Sequence, residues 1–135
     1  MLELLSPAGS PEAVIAAVQN GADAIYLGMG DFNARRGAKN FTNEEFEKAV
    51  TYCRIRGCRV YVTLNTLVND REMADAVAAA RLASDCGADG IIIQDLGLIS
   101  AIRRALPDIP LHASTQMSIH NLAGVQAAAE MGLTR

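Results

Sequence analysis

The feature that most constrains this chain is a recurring join in which a helix ends at glycine and a β-branched or aromatic run follows at once. Gly21-Ala22-Asp23-Ala24-Ile25-Tyr26-Leu27, Gly57-Cys58-Arg59-Val60-Tyr61-Val62 and Gly87-Ala88-Asp89-Gly90-Ile91-Ile92-Ile93 each carry it, and the first and third are nearly identical. With strands expected at about 2–6 and 111–114, this makes five strands. Each leads into a helical segment, at about 11–20, 44–56, 70–86, 96–106 and 120–131.

The helix starts have their own signals. Ser10 precedes Pro11 at a first helical position, and Thr42 with Glu45 and Asn69 with Glu72 place an acceptor before a helix and an acid three residues on. Pro107 and Pro110 bracket the passage into the fifth strand, since proline does not suit a helix interior. Gly132-Leu133-Thr134-Arg135 read as one more glycine join, so the chain is expected to stop where a sixth strand begins.

Strands separated by helices run parallel, which leaves an open doubly wound sheet or part of a barrel. Strands covered by helices on both faces are apolar in both phases, and these are not. Glu3, Tyr26, Tyr61, Thr63, Asn65, Gln94, His112 and Ser114 share one phase, while Leu2, Leu4, Ile25, Leu27, Val60, Val62, Leu64, Ile91, Ile93 and Leu111 share the other. A barrel interior with a polar upper end explains that split. The expected fold is therefore α/β: a partial TIM-type (β/α) barrel, five βα units of a (β/α)8 barrel, forming a single domain over residues 1–135. Its open edges predict either self-association or origin in a longer protein.

Composition excludes little but is consistent. Half the residues are hydrophobic and a fifth charged, as in ordinary globular domains, and a net charge of -3 argues against nucleic-acid binding by bulk electrostatics while leaving room for a local basic loop. No apolar run approaches the ~20 residues of a membrane span, and no signal peptide is legible, so a cytoplasmic location is expected. Cys53, Cys58 and Cys86 lack C-x-x-C spacing and fall at the helix-end side of the units, so they read as reduced core thiols. No metal cluster or nucleotide-binding fingerprint is present, so neither a metal nor a cofactor is expected in this segment.

Barrel chemistry sits in the loops after the strand C-termini. The first, Ser6-Pro7-Ala8-Gly9-Ser10, runs into a helix N-terminus and reads as a tight turn and cap or as an anion cradle. The second, residues 29–41, combines cations, glycines and aromatics, and offers Asn33, Arg35 and Lys39 as partners for a phosphate or carboxylate, beside its plainer reading as a solvated surface loop. Asn65, Gln94 and Gln116 in the third, fourth and fifth loops can orient a polar ligand. His112 and Ser114 lie two apart on one strand face, roughly 7 Å apart by strand rise, and Asp95 is the one neighbouring acid that could complete a nucleophile–base–acid set. Against it stands His112 as an interior histidine or a substrate hydrogen-bonder, the stronger claim of the two.

At Leu4-Leu5-Ser6-Pro7-Ala8-Gly9-Ser10, Gly21-Ala22-Asp23-Ala24-Ile25-Tyr26-Leu27-Gly28, Val62-Thr63-Leu64-Asn65-Thr66, Gln94-Asp95-Leu96-Gly97 and His112-Ala113-Ser114-Thr115-Gln116-Met117, the chain resembles the opening of the peptidase U32 (collagenase-like protease) family. The resemblance implies a barrel whose remainder lies beyond Arg135, together with the family's diagnostic cysteine segment and, in some members, an iron–sulfur cluster. It implies two function classes: a peptidase acting on protein or peptide, or oxygen-independent hydroxylation of RNA bases or of a quinone ring. A receiver-like signalling module is disfavoured, because Ser6-Pro7-Ala8 and Ser114-Thr115-Gln116 stand where its acidic cluster and lysine belong.

Overall fold

The computed structural model describes residues 2–34 and 40–135. The repeated glycines close their helices in one way: Gly21, Gly57, Gly87 and Gly132 have φ of 89°, 71°, 95° and 86°, the left-handed region that a Cβ penalises. Strands and helices alternate as β1 (Leu5–Pro7), α1 (Pro11–Gln19), β2 (Ala24–Gly28), α2 (Asn43–Ile55), β3 (Arg59–Leu64), α3 (Met73–Cys86), β4 (Gly90–Ile93), α4 (Leu96–Ala105), β5 (Leu111–Ala113) and α5 (Leu122–Glu130).

The aspartate of the repeated Gly-Ala-Asp clips its strand to the one before. Asp23 Oδ2 accepts the Leu4 N–H at 2.8 Å while the Asp23 N–H donates to the Leu4 carbonyl at 3.0 Å. Asp89 treats Val60 identically, with both distances 2.8 Å. At the join between them Arg59 takes the aspartate's place, its N–H on the Asp23 carbonyl at 3.0 Å and its side chain on Glu3 at 2.8 Å.

All pairings are parallel and the strand order is β1-β2-β3-β4-β5. A doubly wound sheet reverses direction once, and a receiver-like one is ordered 2-1-3-4-5, so the sequential order selects the barrel arc. Burial agrees with it. Ile25, Leu27, Val60, Val62, Leu64, Ile91, Ile93 and Leu111 form one core with Val14, Phe46, Cys53, Ala80, Ile99 and Ile102 of the helices. The opposite phase carries Tyr26, Thr63, Gln94 and His112. Leu133 bridges Leu111 in parallel, and the Thr134 N–H donates to the Leu111 carbonyl at 2.9 Å, so a sixth strand has begun to pair on β5.

Most expected caps form. The Ser10 hydroxyl accepts the Ala13 N–H, with Pro11 opening the helix, and Thr42 with Glu45 makes a reciprocal capping box. Asn69 and Glu72 exchange the expected bonds, but over a turn, and the helix proper begins only at Met73. The first strand is shorter and later than the expected 2–6, so Leu2 and Leu4 stay exposed, and the fifth ends before Ser114, which caps a 3-10 turn at Thr115–Met117. Among the described residues no helix is long and apolar enough to cross a membrane.

Replacing Asp89 by alanine leaves the Val60 N–H without its carboxylate. Because Asp89 is itself exposed, the expected cost is about 1 kcal/mol in urea unfolding, against under ~0.5 kcal/mol for Asp85→Ala on the neighbouring surface.

Candidate functional site

The loops at the strand C-termini enclose a cleft of about 280 Å³, lined by Ala8 and Gly9 after β1, Tyr26 and Gly28 of β2, Asn33, Ala34, Asn40 and Phe41, Thr63 and Asn65 of the β3 end, and Thr115 and Gln116 after β5. Among the described residues the polar groups lining it are uncharged amides and hydroxyls, joined by the Tyr26 ring. Three of the expected ligand-binding residues, Asn33, Asn65 and Gln116, are brought together here. Arg35 and Lys39 lie outside the described residues.

Hydrogen bonds hold the lining. Asn33 is 3% exposed, and its Nδ2 donates to the Gly30 carbonyl at 2.9 Å and to Asn40 Oδ1 at 3.0 Å. Gly28 makes room for it: a Cβ there would sit 2.7 Å from Asn33 Cγ. Asn65 Oδ1 accepts the Ala34 N–H at 3.0 Å, and the Asn65 carbonyl accepts Gln94 Nε2 at 2.7 Å. Gln94 thus braces Asn65 from just after β4 and is not among the residues lining the cleft. Ser114 Oγ receives the Gln116 N–H at 3.4 Å and donates to Gln116 Oε1 at 3.3 Å.

Asp95, His112 and Ser114 have separate employments. Asp95 Oδ1 caps α4 by accepting the Leu98 N–H at 2.8 Å, and Oδ2 accepts the Val68 N–H at 3.2 Å. Ser114 is 5% exposed and occupied with its own turn. Among the described residues no hydrogen bond joins the three.

His112 lies beneath the cleft instead, its ring edge-to-face on Tyr61 with centroids 4.7 Å apart. The Tyr61 hydroxyl donates to Glu3 Oε2 at 3.0 Å, and Glu3 also takes Arg59 and Arg135. Arg135 above all holds the Glu3 carboxyl below its usual range, against the opposing effect of burial. Burial, then Arg135, pushes the His112 pKa below its ordinary 6.5, with Glu3 opposing. Glu3, Tyr61 and His112 share the inward phase read from the sequence, whereas the part that Arg59 and Arg135 play in this floor was not legible, because it depends on strand register.

The thiols do not suit an iron–sulfur cluster, which requires thiolates gathered in one place. Burial raises the Cys53 pKa to about 12 and lifts Cys58 and Cys86 too, and no group of three metal-ligating side chains is present among the described residues. The core-thiol reading fits these positions.

The sequence profile of Peptidase family U32 matches residues 9–135. The chain is 37% identical over 133 residues to tRNA hydroxylation protein P1 of Bacillus subtilis, covering 98% of this chain and 32% of that protein. It is 33% identical over 120 residues to the protein named Collagenase in Porphyromonas gingivalis, covering 88% of this chain and 28% of that protein. The chain thus spans about a third of these relatives' length. Among solved structures it resembles "The Structure of the U32 Peptidase Mk0906", with a TM-score of 0.75 and 17% identity over 98% of this chain and 56% of that one, which bears on fold alone.

Two outcomes follow from the geometry. Gly28→Ala should destabilise the protein by about 1–3 kcal/mol, and less than additively with Asn33→Ala, since truncating Asn33 removes the clash. For His112 the folded state resists protonation, so its contribution is complete above 6.5 and is lost as pH falls below that value toward the depressed folded pKa. The urea midpoint should therefore drop between about pH 7.5 and about pH 5.5, and drop less in His112→Gln.

Proposed function

The chain belongs to peptidase family U32, and on that footing we propose that it supplies the substrate-binding rim of an enzyme that hydroxylates RNA bases. The observation that carries this reading is the cleft itself. A tyrosine ring beside uncharged amides and hydroxyls is what an unpaired base needs, a face to stack on and donors for its edge. The likeness to a protein named for tRNA hydroxylation supports the same substrate class. In this reading Arg35 and Lys39 meet the backbone phosphates, and Asn33, Asn65 and Gln116 meet the base. This segment binds and orients, and any iron–sulfur cluster is held by residues outside it.

Peptidase action is the second reading, favoured by the likeness to the protein named Collagenase. It would have to draw on His112, Ser114 and Asp95, and acyl transfer requires a nucleophile, base and orienting acid in hydrogen-bonded sequence. The bonds that occupy Asp95 and Ser114 weigh against it.

Deleting the gene should remove one hydroxylated nucleoside from digested cellular RNA, as read by mass spectrometry. The intact wild-type protein should restore it, and Asn65→Ala should restore it at least about tenfold less. An RNA profile unchanged by the deletion would sink the proposal. Gelatin cleavage by the purified intact protein that is lost on Ser114→Ala would instead establish the peptidase reading.

A further inference from the structure

We propose that Asn65 and Gln116 are the specificity-determining residues of the cleft, and that they select a ligand edge bearing carbonyl oxygens over one bearing an amino group. The inference rests on the RNA reading above.

Its basis is the orientation of two side-chain amides. A backbone N–H can only donate, so the Ala34 N–H at 3.0 Å requires the oxygen of Asn65 to face it. The Asn65 NH2 is thereby left on the other branch. On the β5 side the Ser114 hydroxyl donates to Gln116 Oε1 at 3.3 Å while its oxygen accepts the Gln116 backbone N–H at 3.4 Å, an arrangement that leaves the Gln116 NH2 over in turn. Among the described residues neither amide nitrogen donates to a protein group. Gln94 prevents an easy escape by holding the Asn65 carbonyl at 2.7 Å.

Two NH2 groups therefore belong to one cleft, from the β3 and β5 sides, each with its amide oxygen turned to a protein donor. A ring edge with carbonyl acceptors pairs with them. An exocyclic amino group would set N–H against N–H and leave both desolvated without a partner. The Tyr26 and Thr115 hydroxyls rotate and serve either edge, so discrimination falls to the amides.

The test is fluorescence anisotropy of the intact protein with two short single-stranded RNAs, identical but for a central uridine or cytidine. The uridine RNA should bind about tenfold more tightly. Asn65→Asp keeps the oxygen for Ala34 and turns the free NH2 into an acceptor, so the preference should shrink to parity or reverse. Gln116→Glu should act in the same direction and carries the test if the first variant misfolds. Equal binding of the two RNAs by the wild type, or a preference unmoved in both folded variants, overturns the inference while leaving the RNA reading standing. Failure of the wild type to bind either RNA overturns both.

Discussion

Each strand of this chain enters the sheet beside its predecessor and on the same side of it. A strand–helix–strand connection in a parallel sheet is right-handed, so a sheet that never reverses its order collects its helices on one face. The rest of the structure depends on that. One phase of β2, β3, β4 and β5 is committed to the helices, where burial of aliphatic side chains at about 25 cal/mol per Å² drives folding. The other phase is released from that duty, and all strand C-termini share one rim. Polar side chains such as Thr63 and Gln94 are tolerated there because no helix packs on them.

Register turns this arrangement into a site. A slip of one residue would exchange the two phases of a strand. Left-handed glycines stop the helices at fixed points, and Asp23 and Asp89 seize a backbone N–H of the preceding strand as the new strand begins. With register held, Tyr61 falls within reach of both Glu3 and His112, and the described interior divides into a charged floor and a cleft lined by amides and hydroxyls.

The same economy governs the polar residues near the rim. A carboxylate or hydroxyl close to helix N-termini is in demand as a cap, and Asp95 and Ser114 are both taken for that purpose. What remains for a ligand is whatever the caps and braces leave unspent, chiefly the amide nitrogens of Asn65 and Gln116. Family membership and fold thus rest on different grounds from the chemistry, and the chain spans about a third of the length of the relatives it matches.

By itself the sequence determined the alternation of strand and helix, the phases of the second to fifth strands, two of the helix caps and the family. These are local or periodic properties, decided by the backbone preferences of glycine and proline and by the two-residue period of a strand. The convergence of Asn33, Asn65 and Gln116 was legible too, because loops after parallel strands share a rim. Tertiary structure alone decided that Asp95 and Ser114 serve as caps, that Gln94 braces the cleft from behind, and that Glu3, Arg59, Tyr61 and His112 meet on a floor. Each of those outcomes turns on which of several partners, distant along the chain, lies within 3 Å or so of a polar atom. Sequence spacing names the competitors for a hydrogen bond, and only strand register and loop packing choose among them.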